Sequence, residues 1–318
     1  MQTKLSKKKE AALQHQDTMS SVGDIPLWVK LVGYVITTLI SVTTLVPLLL
    51  TLSVSLTEDT SLALYGYKLI PKQFSLEAYR YIFENGSRIW QSYGVTVVVT
   101  VCGTFIGLIC MSLFAYAVTR TSFPWGTQLL FYVFFCMLFN GGMVPTYMVV
   151  ANLLHLRDTI WALILPGCMS SMYIMIIKTY MRNSIPPAVV ESAKIDGAGE
   201  YHCFFSIVLP MAVPVLATIA LFLAIYFWNG WYNAFLYVVK NQKIVPIQLL
   251  LKRFENDMEF LANSSEISFQ EAEQMRRSLP VESAKMALVV MVAAPILIAF
   301  PFFQRFFVKG ITMGAVKG

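Results

Sequence analysis

Long stretches without a single charge alternate with short charged clusters along this chain. The charge-free windows run 31–57, 89–119, 121–156, 159–177, 201–239 and 286–304. A bilayer crossing needs about 20 predominantly apolar residues, so each window holds one spanning helix. Turn and interface residues at Thr121–Gln128 and Asn140–Gly142 make the helices narrower than their windows. The pattern therefore predicts spans over 29–56, 92–119, 128–152, 159–181, 207–232 and 284–306. The window 201–239 is long enough for two crossings, but Pro210 and Pro214 crowd its start and no polar turn divides the rest, which predicts one helix.

Composition agrees with this pattern: 57% of the residues are hydrophobic and 13% are charged. Lys4, Lys7, Lys8 and Lys9 precede the first span and predict a cytoplasmic amino terminus; six spans then place both termini inside. Lys and Arg split 12 inside and 12 outside under that topology, so orientation rests on the tail and on the motif described below. The reading divides the chain into a basic tail at 1–26, a six-span domain at 27–309 and a second tail at 310–318. The net charge of +6 fits a basic inner face against anionic lipid and calls for no nucleic acid. Cys102, Cys110, Cys136, Cys168 and Cys203 show no paired spacing and are read as small buried apolar residues, without a metal or disulfide framework.

The loop 233–283 is the longest and most charged of the outer loops, and Ser268–Ser278 carries a capping-box spacing that predicts a short helix. On the inner side one polar interruption stands out, at 183–206 between the fourth and fifth spans. Ser184 is placed to cap a helix whose first turn accepts Pro186 and Pro187, since those positions need no amide donor. Ala188–Ile195 continue that helix, and Gly197 supplies the left-handed residue that ends it. A second segment turns back to the membrane through Leu209 and Pro210. The local prediction is a compact helix-turn-helix on the inner surface.

Glu191-Ser192-Ala193, then Gly197, then Ile207, Leu209 and Pro210 at fixed spacing resemble the EAA-loop signature of ABC importer permeases. Ser192 stands where alanine is commoner, a small-for-small exchange. The resemblance implies an all-α integral membrane fold of the type I importer permease class, six transmembrane helices with a cytoplasmic coupling-helix loop, in a bacterial cytoplasmic membrane. It implies that Glu191, Ser192, Ala193, Asp196, Gly197, Ile207, Leu209 and Pro210 form the surface that docks an ATPase. It also implies the partners: a second homologous permease subunit, an ATP-binding cassette ATPase dimer that binds ATP and Mg, and an extracytoplasmic solute-binding protein. No cofactor is expected in this chain itself. Asn140–Tyr147, Ile160–Gly167, Phe227–Asn233 and the ending Gln304–Gly310 followed by Gly314–Gly318 look like the carbohydrate-importer branch, close to the second membrane subunit of maltose-type and polysaccharide-type transporters.

A sugar presents hydroxyls and flat C–H faces, so its path wants aromatic rings and amides. Trp228, Asn229, Trp231, Tyr232 and Asn233 supply that mixture, and helical spacing places Trp228, Trp231 and Tyr232 on one face. An interfacial aromatic belt explains the same residues, and both readings stay open. Tyr147, Asn140 and Tyr173 are further candidates that helix packing explains as well. Importers of peptides or amino acids share the docking loop and are the alternative for cargo. A secondary transporter is disfavoured because no charge lies within the six windows, and a membrane enzyme because His15, His155 and His202 form no catalytic pattern. A phosphate-binding loop is also absent, so hydrolysis is expected in another polypeptide.

Overall fold

A computed structural model describes residues 26–84, 86–263 and 281–315, and the regular structure among the described residues is helical apart from one isolated antiparallel bridge between Thr57 and Phe74. The tail expectation for residues 1–25 and the predicted helix at Ser268–Ser278 lie outside the described residues. Three helices are long and apolar enough to cross a membrane alone: α1 (Leu27–Ser55), α4 (Ser87–Thr119) and α14 (Val281–Ala315), the last through its segment Glu282–Pro301. Between α1 and α4 lie two short helices, α2 (Asp59–Tyr65) and α3 (Glu77–Glu84).

Each of the other three windows holds two helices joined at a bend, where the sequence predicts a single spanning helix. The third consists of α5 (Gly126–Leu138) and α6 (Met143–Leu153), bent by 120°. Gly142 sits there at φ +85°, and Asn140 Oδ1 accepts its amide at 2.9 Å, so the turn residues interrupt the helix itself. The fourth pairs α7 (Trp161–Gly167) with α8 (Ser171–Ser184) at 51°, where Pro166 removes an amide and Ser170 takes an extended conformation. The fifth begins earlier than predicted, as α10 (Glu200–Met211), and bends by 79° at Ala212 into α11 (Val213–Trp228). Pro210 has no amide, and the turns over Cys203–Val208 widen to the i→i+5 spacing.

The hairpin helix α9 (Pro187–Ile195) lies between the fourth and fifth spans. After α11 come α12 (Tyr232–Tyr237) and α13 (Ile247–Asn263), so the first part of the long loop 233–283 is helical.

Helix α4 is the axis of the packed core, lying against α8, α11 and α13. Gly103 and Gly107, one turn apart, let α11 approach: a Cβ at Gly103 would stand 2.6 Å from the Phe227 ring, and one at Gly107 would be 3.0 Å from the Cys168 carbonyl. This small-residue spacing is the usual device where lipid removes the hydrophobic drive between helices. Near the other end of α14, Pro295 leaves the Met291 carbonyl without its helical donor. Tyr93 of α4 donates its hydroxyl to that carbonyl, and Trp228 Nε1 donates to the Val292 carbonyl at 3.0 Å. Backbone groups freed by a proline in a bilayer must find such partners.

Helix α1 packs along α14 and is exposed on all sides over its most apolar segment. Its hydroxyls turn inward on their own helix, Thr37 to Gly33, Ser41 to Thr37 and Thr51 to Pro47, which suits an apolar surrounding. The cysteines divide: Cys168 and Cys203 are buried, whereas Cys102, Cys110 and Cys136 are exposed, and all five are free thiols. The expectation of five buried cysteines is corrected because a lipid-length helix has no need to hide an apolar side chain.

Candidate docking site

The chain enters the hairpin through a short extended link, which follows from the two prolines. Ile185 is held extended and buried before Pro186, Pro186 is the N-cap, and Pro187 opens α9. Ser184 is the last residue of α8 and makes no cap, so the predicted Ser184 cap is corrected. The end of α9 follows the sequence. Gly197 adopts φ +86°, its amide donates to the Lys194 carbonyl at 3.0 Å, and the Ala198 amide donates to the Ala193 carbonyl at 2.9 Å. These two bonds form the Schellman closure, which satisfies the last carbonyls and needs the left-handed residue.

Helix α9 is anchored by Val190, which is buried, and by the half-buried Ala193 packed on the core. Glu191, Ser192, Asp196 and Gly197 face outward on one surface. Glu191 lines a cleft of about 290 Å³ that it shares with Arg120, Arg182 and Lys194. The remaining predicted residues stand apart from this surface. Ile207 and Leu209 are half-buried in α10, Leu209 against the core, and Pro210 sets the wide turns. Their spacing serves the re-entry of the chain.

Sequence reasoning missed three groups here. Ile195 is 86% exposed and Tyr201 80% exposed, large apolar side chains beside the charged face of α9. The available signal was Ile195 and Tyr201 placed among charged and small residues next to the glycine turn. The third is Glu200, whose carboxylate pairs with Lys194 Nζ and accepts the Tyr116 hydroxyl at 2.6 Å.

Trp228 sits about 35 Å from this end, since Tyr93, against which it packs, and Tyr116 lie 23 positions apart on the one helix α4, whereas Tyr173 lies near the start of α8. Trp228, Trp231 and Tyr232 do not share a helical face, which corrects the spacing argument. Helix α11 ends at Trp228, Gly230 donates to the Phe227 carbonyl at 3.2 Å, and a new helix begins at Tyr232. Trp228 is buried edge-on against Tyr93, with ring centroids 5.8 Å apart. Tyr147 stacks on Tyr237 at 5.7 Å and Tyr173 on Phe222 at 6.1 Å, so both are built into packing. Asn140 holds its own turn. Asn229, Trp231 and Tyr232 remain outward, with Tyr232 donating to Met143 Sδ at 2.7 Å and Asn229 Oδ1 accepting from Gln248 at 3.0 Å. Asn233 is half-buried beside them.

The same end has a staple that the sequence reading missed. Asp158, at φ +59°, accepts through Oδ1 the amides of Val239 and Lys240 at 2.8 Å and of Asn241 at 3.1 Å. The Asn241 bond, above all, together with the other two amides and the nearby Arg157, holds the Asp158 carboxyl below its ordinary value despite partial desolvation. A similar tie starts α14, where Asp59 accepts the amides of Glu282 and Ser283 at 3.2 and 2.9 Å. Tyr67 donates to Glu282 at 2.8 Å, and desolvation followed by that carboxylate pushes the phenol up to about 12.

Three unbroken apolar helices and three bent pairs, six crossings if each pair is one span, with an exposed helical hairpin between the fourth and fifth, define a multi-pass membrane protein. Residues 103–313 match the family described as the inner membrane component of binding-protein-dependent transport systems, and the chain belongs to that family. It is 43% identical over 251 residues to the polygalacturonan/rhamnogalacturonan transport system permease protein YtcP of Bacillus subtilis, covering 79% of this chain and 84% of that protein. It is 37% identical over 276 residues to protein LplC of Bacillus subtilis, covering 86% and 90%. Among solved structures it resembles a chain of a bacterial ABC transporter that imports the acidic polysaccharide alginate, with a TM-score of 0.76, 26% identity and coverage of 89% and 99%.

Proposed function

We propose that this chain is the permease subunit of an ATP-driven importer for an oligosaccharide derived from a polysaccharide. It would form half of the translocation path beside a second homologous permease. ATP and Mg belong in this reading to a separate ATPase dimer, which seats on the surface formed by Glu191, Ser192, Ala193, Asp196 and Gly197, with Ile207, Leu209 and Pro210 fixing the re-entry behind it. Both termini and α9 then lie on the cytoplasmic side, and α12 and α13 face an extracytoplasmic solute-binding protein. Asn229, Trp231 and Tyr232 are the residues of this chain best placed to meet a sugar.

The observation that carries the reading is the Schellman-closed helix α9, which presents Glu191, Ile195 and Gly197 outward in a chain of this family. Such a helix is a rigid lever. The sugar cargo is supported by the relatives, whose names refer to polygalacturonan and to the import of alginate.

The test is reconstitution of the full complex with its binding protein, screening ATPase stimulation over uronic-acid oligosaccharides, neutral oligosaccharides and peptides. Stimulation by a glycan is the expected result. Stimulation by peptides alone would overturn the cargo.

A further inference from the structure

We propose that Glu200 is a positioning residue for energy coupling, tying α9 to the end of α4 so that movement of the docking helix reaches the core through a polar link. This inference rests on the docking reading of α9.

Helix α9 is joined to its neighbours by chain segments that transmit rotation poorly. Before it lies the extended Ile185–Pro186 pair, and after it Gly197 and Gly199. Its apolar anchor is Val190. The polar anchor is the Glu200 carboxylate at the first turn of α10. One oxygen pairs with Lys194 in the last turn of α9, and the other accepts the hydroxyl of Tyr116 in the last turn of α4 at 2.6 Å.

An exposed ion pair alone contributes little to structure. Here the carboxylate is shared between partners on two other helices, and one of them is a stiff buried phenol. Tyr116 is held by two further contacts: its ring packs on Phe204 of α10 with centroids 5.2 Å apart, and the Arg120 guanidinium lies 4.2 Å from its ring centre. Arg120 Nε is buried without a hydrogen-bond partner among the described residues. The same arginine lines both the cleft of about 290 Å³ containing Glu191 and a second groove of about 420 Å³ containing Tyr116 and Glu200. Removing the Glu200 charge takes from Lys194 its ion-pair partner and from Arg120 a nearby carboxylate, and loosens α9 from α4 while its outward face is untouched.

The experiment uses the complete complex in vesicles and reads two quantities, ATPase association and cargo moved per ATP hydrolysed. Glu200→Gln is expected to keep association within twofold and to lower cargo per ATP at least fivefold. Glu200→Lys should lower cargo per ATP likewise, and combining it with Lys194→Glu should recover at least half of that loss. Tyr116→Phe, which keeps the ring stack and removes one hydroxyl, carries the test if a Glu200 variant does not assemble. Unchanged cargo per ATP in these variants overturns the proposal, as does a charge exchange that recovers nothing. Association falling in step with transport also overturns it, because Glu200 would then belong to the docking surface. The docking reading fails separately, if Gly197→Val leaves ATPase association intact.

Discussion

The two ends of the fifth span are built on opposite plans. At the α12 end the chain is tied to itself by several polar contacts: Trp228 donates to Val292, Asn229 bonds to Ile225 and Gln248, and Asp158 gathers three amides, while Trp231 and Tyr232 stay exposed. At the α9 end Glu191, Asp196, Ile195 and Tyr201 are left facing outward, and the internal ties are concentrated in Glu200. An end closed on itself holds a shape, whereas an end with spare donors, acceptors and apolar surface is ready for a partner. Under the proposed function, the heavily tied end would frame the passage and the end with fewer internal ties would meet the ATPase.

The largest test of that contrast strikes the wall both ends share. Gly103→Leu would drive a side chain into Phe227, whose ring already stands 2.6 Å from an added Cβ. Overpacking of this kind costs about 1–3 kcal/mol or more. Thermal stability in detergent should fall, and both ATPase association and cargo response should fall with it. Loss at one end alone would show that α4 and α11 do not act as a common wall.

Next in size is Gly197→Val, which forces a β-branched residue to φ +86° at a cost of about 1–3 kcal/mol of local strain. ATPase association should drop at least tenfold, with a fall of only a few degrees in the midpoint of thermal unfolding. Gly197→Asn should retain most of the association, because asparagine tolerates the left-handed region.

Asp158→Asn probes the closed end. Hydrogen exchange at Val239, Lys240 and Asn241 should quicken, with ATPase association unchanged. The carboxyl is depressed in the folded chain, so its stabilisation is complete above the unfolded value of about 3.9 and is lost as pH falls from there through the folded value. The gap in melting temperature between wild type and variant should therefore be constant near neutral pH and shrink below about pH 4.

The smallest effect is expected for Trp231→Ala. It should raise the cargo concentration for half-maximal ATPase stimulation a few-fold, with stability unchanged, since Trp231 is partly exposed. An unchanged concentration would return Trp231 to the interfacial belt.

The legible parts of the chain are those governed by local rules. Gly197 is required where a helix must end left-handed, and the same closure is found in the folded chain. The apolar windows marked the crossings, but they could not show that three of them are bent, because a bend depends on whether a proline or glycine break is bridged or opened by neighbours. Ser184 was assigned as a cap on type alone, and the preceding helix absorbed it. The aromatic run Trp228–Asn233 read as one helical face because spacing assumes that the helix continues.

Asp158 and Glu200 were silent in the sequence for a simpler reason. Each has partners more than 80 positions away, Asp158 in Val239 to Asn241 and Glu200 in Tyr116, although Glu200 also pairs with the nearby Lys194. Membrane embedding, the number of apolar crossings and the left-handed helix end are thus determined by the sequence by itself, since burial of apolar length and the conformational freedom of glycine act over a few residues. Which aromatics are sealed into the wall, which carboxylates become staples and which face stays open to a partner were decided only by tertiary structure, because those outcomes depend on which distant helix supplies the donor.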